Sequence, residues 1–80
     1  MLSYIRPAVN EFDRLFYGMP VSDVSNRRVG VVESVLPSTF ILKCIDGNVL
    51  RLVPDCLFSV SRQNAWLVCS ADQLFRYEAV

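Results

Sequence analysis

The side chains able to carry chemistry in this chain are three cysteines, a scatter of aspartates and one arginine inside an apolar run. Cys44, Cys56 and Cys69 are an odd number at wide spacing, and there is no histidine. Zinc sites use paired C-x-x-C spacings and imidazoles. A secreted disulfide framework uses an even count. Each cysteine also lies within an apolar stretch, where a free thiol behaves as a small hydrophobe. Their expected role is structural, with no metal and no cofactor.

Catalysis finds no better footing. A nucleophile or acid–base group must be held beside an orienting partner, and the serines have no G-x-S-x-G setting. Gly18, Gly30 and Gly47 are too scattered to cradle a phosphate. Asp23, Asp46, Asp55 and Asp72 all fall at expected turns or helix starts, where an Asp side chain bonds nearby backbone amides. No catalytic residue is assigned, and the chain is not expected to be an enzyme. Arg51 interrupts the run VLRLV. Either its stem covers apolar surface, or it is a partner-binding arginine. Trp66, the only tryptophan, either fills the core or anchors an interface. With Phe12 and Phe16, these two residues form the candidate partner-binding set.

The elements that must position them fit in one domain of 80 residues. So short a chain has a small core, yet 52% of its residues are apolar and the mean hydropathy is +0.33. The interior cannot hold them all, which predicts an exposed apolar patch of the kind that marks interfaces. Eight basic and eight acidic residues cancel, the wrong balance for affinity resting on phosphate contacts. Direct nucleic-acid binding is therefore not expected, and Arg27-Arg28 reads as a solvated loop tip. No stretch approaches the ~20 apolar residues of a membrane helix, and the N-terminus does not read as a signal peptide. A cytoplasmic location is the default expectation.

Ile5, Ala8, Val9, Phe12, Leu15 and Phe16 recur at three- and four-residue steps, with Pro7 suited to a first turn and Gly18 to a stop. This predicts a helix over Pro7–Phe16. Short β-rich runs follow: Met19–Ser22, Val29–Val35 (with Val29, Val31 and Val35 sharing a face), Thr39–Ile45 and Asn48–Val53. Two more are Phe58–Ser61 and Ala65–Cys69. Gly30 marks a bend or a close approach. Asp46-Gly47 predicts a type I′ hairpin. Pro54 ends the ladder, and a single helical turn follows it. Arg62-Gln63-Asn64 reads as another hairpin loop, and Ser70 with Gln73 as a capping box opening a helix over Ala71–Tyr77. Phe40, Leu42 and Cys44 form one row of the central hairpin and Ile41 and Ile45 the other, so both faces are expected to be covered.

The order of these signals resembles the PRC-barrel superfamily, and within it short bacterial PRC-barrel-like proteins. The matching positions are Gly18-Met19, Val29-Gly30-Val31-Val32, Asp46-Gly47, Val53-Pro54 and Ser59-Val60, over about Phe16 to Leu74. The turn Asp23–Arg28 lacks the glycine often found there, and an N-terminal helix is not part of the usual barrel. The resemblance implies a binding or assembly module with no shared catalytic residues.

The expected fold is mainly β: a small antiparallel β-barrel of about six strands (PRC-barrel/SH3-like) with an N-terminal α-helix and a short C-terminal helix. Residues 1–17 would form the helical segment and 18–80 the barrel, as one domain. The expected function is a non-enzymatic adaptor that binds another protein, as a homodimer or other homo-oligomer. The alternative is a ribosome- or RNA-associated assembly factor.

Overall fold

A computed structural model describes residues 12 and 14–79 of the chain. Six strands lie among them: β1 (Pro20–Ser22), β2 (Arg28–Val35), β3 (Phe40–Cys44), β4 (Val49–Leu52), β5 (Leu57–Val60) and β6 (Ala65–Leu67). They form one sheet in the order β4-β3-β2-β1-β6-β5. Neighbours are antiparallel except β1 and β6, which run parallel. The sheet is therefore mixed, antiparallel at four of its five pairings, and it curls into a half-barrel in place of the closed, mostly antiparallel barrel expected. A 3₁₀ turn at Pro54–Cys56 carries the chain from one edge strand, β4, to the other, β5. A longer 3₁₀ helix, Ala71–Tyr77, follows β6. Past it the chain returns to the β4 edge, where Val53 N–H donates to Tyr77 O and Ala79 N–H to Arg51 O. That pairing covers part of an otherwise open ladder.

The core gathers on the concave side. Phe40, Leu42 and Leu52 from the central hairpin meet Val21, Val32, Leu67 and Met19, with Cys56 and Leu74 sealing one end. The alternation of Phe40, Leu42 and Cys44 against Ile41 holds in β3. The convex face is not closed, however: Lys43, Val49 and Arg51 are exposed and Ile41 is half-buried.

In β2 the expected face of Val29, Val31 and Val35 is broken. Val21 pairs with Gly30 but Ser22 with Arg28, so Val29 is an extra residue against β1. Val32 pairs with Leu42 but Ser34 with Ile41, so Glu33 is an extra residue against β3. Each bulge resets the two-residue period and bends the strand. Val29 and Val32 are buried in consequence, while Val35 is exposed. Gly30 sits between the bulges, and a Cβ built there would lie 2.1 Å from Lys43 O. That is the close approach its position in the strand suggests.

Two of the hairpin turns on this sheet, β3–β4 and β1–β2, share one geometry. Gly47 N–H donates to Cys44 O at 2.9 Å and Cys44 N–H to Asn48 O at 2.8 Å. Only Gly47 of that loop has positive φ, +96°. This is a three-residue loop ending in a left-handed residue, not the type I′ turn expected; the glycine is used once, after the turn. The β1–β2 loop repeats it: Asn26 N–H donates to Asp23 O at 2.9 Å and Asp23 N–H to Arg27 O at 2.8 Å. Here Asn26 takes the left-handed place, φ +67°, a role asparagine tolerates better than most residues. The β5–β6 loop is closed by Ser61 N–H donating to Asn64 O at 2.8 Å, and a side chain adds to it, Ser61 Oγ accepting the N–H groups of Gln63 and Asn64.

The helix expected over Pro7–Phe16 falls largely outside the described residues. Phe12 is helical, but Arg14 is already in a turn and Leu15 and Phe16 are irregular. The tightening is visible in Leu15 N–H, which donates to Phe12 O at 3.1 Å. It lets Phe12, Leu15 and Met19 all enter the core. The capping box is absent: Ser70 makes no side-chain bond to the helix amides. Its hydroxyl donates to Asp72 Oδ1 instead.

Candidate functional site

The four candidate binding residues stand in four different places. Phe12 is buried, its ring 6.3 Å from that of Phe40 and inclined at 52°. Phe16 is 47% exposed and borders a shallow depression shared with Arg14 and Arg62. Arg51 is exposed on the convex face, opposite Ile41, with Nε donating to Thr39 Oγ1 at 3.3 Å. Lys43 pairs with Val49, so it occupies the diagonal position to Arg51 on the same face. Trp66 lines a separate concavity.

That concavity is a groove of about 410 Å³ on the outer side of β5 and β6, lined by Asp23, Val24, Phe58, Ser59, Trp66, Leu67 and Val68. Local chain geometry builds it. Leu57 pairs with Leu67 but Ser59 with Trp66, so Phe58 is an extra residue in edge strand β5. The bulge turns Phe58 outward, 72% exposed, while Leu57 and Val60 stay in the core. The β1–β2 turn raises the other wall, where Val24 is 62% exposed and its N–H donates to Cys69 O. Trp66 lies between them, half-buried. Its indole N–H donates to Asn26 Oδ1 at 3.0 Å, which fixes the ring against the turn. Asp23, beside the groove, organises that turn through Oδ1, accepting Ser25 N–H at 2.8 Å and Arg27 N–H at 2.9 Å.

The groove thus exposes aromatic and branched apolar side chains together, on the kind of surface that partner proteins cover. Sequence reading reached Trp66 but missed Phe58 and Val24. Phe58 sits in a strand whose alternation gives no warning of a bulge. Val24 sits in a polar turn, and its isolation there was the available signal.

The thiols offer no comparable chemistry. Cys56 is fully buried, and burial first, with Cys69 beside it, pushes its thiol up to about 12. Burial also raises Cys44, with help from the Asp46 carboxylate. It raises Cys69 too, where Arg76 opposes the shift and Asp72 and Asp23 add to it. Protonated thiols are poor nucleophiles and poor metal ligands. No group of three or more metal-ligating side chains occurs among the described residues. No helix among them is long and apolar enough to cross a membrane. Comparison with protein-family models, with curated proteins and with solved structures gives no match for this chain.

Proposed function

We propose that this protein is a non-enzymatic interaction module that docks another protein on the groove between Phe58 and Val24. The observation that carries the reading is the placement of Phe58. A bulge in an edge strand turns a phenylalanine out to 72% exposure, next to a tryptophan held in place by its own hydrogen bond. Leaving that much apolar area in water has a cost, and a partner removes it. The convex face, with Val49 and Arg51 exposed, is a second surface. An adaptor uses two, and a homodimer through the convex face would leave the groove open to its partner. The resemblance to PRC-barrel-like proteins points the same way, by analogy of fold alone.

The test compares wild type with Phe58→Ser and Val24→Ser in cross-linked capture from the native lysate, after circular dichroism has shown all three folded. Loss of one reproducible protein from both variants supports the reading. Identical capture by all three overturns it.

A further inference from the structure

The groove is mainly apolar, and the one charged residue in its lining is an acid. Asp23 is only 5% exposed, yet it lines the concavity. Its Oδ1 is occupied by the two turn amides. No described residue donates to Oδ2. Oδ2 is thus the carboxylate oxygen without a described donor, in a residue that lines the groove. The neighbouring Arg27 and Arg28 are exposed, and Arg27 meets Asp23 through its backbone amide, not its guanidinium.

A carboxylate oxygen at the wall of an apolar groove attracts cations more strongly than one in open water. The adjacent surfaces suit the same guest. Trp66 and Phe58 present aromatic rings, which attract a cation over their faces. Val24 and Val68 present apolar walls for an aliphatic stem. An anion is disfavoured, which sets a nucleic-acid backbone aside. We infer that the groove recognises a protein segment by one Lys or Arg side chain set between apolar residues, with the charge at Asp23 Oδ2 and the stem against Phe58 and Trp66. This rests on the interaction reading above and names the chemistry of its partner.

Trp66, the only tryptophan, reports on its own groove. The probes are two capped pentapeptides, acetyl-Leu-Val-Arg-Val-Leu-amide and the same peptide with Gln for Arg, titrated into the full chain while indole emission is followed. The Arg peptide is expected to bind about tenfold more tightly than the Gln peptide, the usual scale for a charge-assisted bond over a neutral one. Added salt should narrow the gap. Asp23→Asn keeps an oxygen for the two turn amides and removes the charge, so the gap should vanish. If that variant does not fold, salt decides on wild type: a gap between the two peptides that added salt leaves unchanged overturns the cation inference. Equal binding of the two peptides to wild type overturns the cation inference and leaves a purely apolar groove as an interaction site. If neither peptide binds, the inference also fails, while the interaction reading is judged separately by the Phe58→Ser and Val24→Ser captures.

Discussion

Gly30→Ala should be the most damaging single-methyl change in the sheet. The added Cβ would lie 2.1 Å from Lys43 O, 2.8 Å from Cys44 Cα and 2.9 Å from Lys43 C, whereas ordinary contact begins at 3.4 Å. All three atoms are backbone, so no side-chain rotation relieves the clash. β2 and β3 would have to part by about 1 Å where Gly30 faces Cys44. Overpacking of this kind costs ~1–3 kcal/mol, and each ladder hydrogen bond stretched beside it adds about 1 kcal/mol. The expected loss is therefore about 3 kcal/mol, a large share of the ~4–12 kcal/mol typical of an 80-residue domain. It corresponds to a fall in Tm of roughly 12–24 °C. Elsewhere in a strand, Gly→Ala restricts the unfolded chain and is mildly stabilising, so the sign of the effect tests the geometry. Urea unfolding followed by Trp66 emission gives the free energy. Gly47→Ala is the control: with φ +96° and no atom within 4 Å, it carries only left-handed strain of ~1–2 kcal/mol. A Gly30→Ala protein within about 1 kcal/mol of wild type, or no less stable than Gly47→Ala, would refute the reasoning.

Three further outcomes follow from the turns and the thiols. Cys56 keeps its proton in the folded chain up to about pH 12, while in the unfolded chain it ionises from the ordinary 9.0. The folded state therefore binds more protons in that window. Stability should be unaffected by this thiol below pH 9 and fall by about 1.4 kcal/mol per pH unit above it; a Cys56→Ala protein should show a slope shallower by that amount in denaturant titrations at pH 9–11, with Cys44 and Cys69 supplying the remainder. Asp23→Ala removes the acceptor of two turn amides and should cost about 2 kcal/mol, with Asp23→Asn recovering most of it in thermal melts. Asn26→Gly relieves a non-glycine residue at φ +67° but frees the Trp66 indole. The Trp band in near-UV circular dichroism should collapse while stability changes by less than about 1 kcal/mol.

Local preferences along the chain set which segments are strands and, to within a residue or two, where they end. Pro54 cannot donate to a ladder, so β4 stops and a 3₁₀ turn starts. Asp46-Gly47 and Asp23–Arg28 carry turn residues, and both form turns. Phe40, Leu42 and Leu52 alternate with polar or half-buried neighbours, and all three are core. These are local facts, set by backbone φ preferences and by the two-residue period of a strand.

Which face each later residue takes emerges from the pairing of whole strands. Extra residues at Val29, Glu33 and Phe58 shift the register of their strands, and alternation read along one strand cannot reveal a mismatch in length with its partner. Val32 is core and Phe58 is surface for that reason alone. The parallel pairing of β1 with β6 joins residues more than forty positions apart, and it brings Ser22 beside Trp66. The same approach lets Asn26 bond the indole and sets Asp23 at the edge of an apolar groove. Such juxtapositions depend on loop closure and on packing of the whole sheet, so no local signal encodes them.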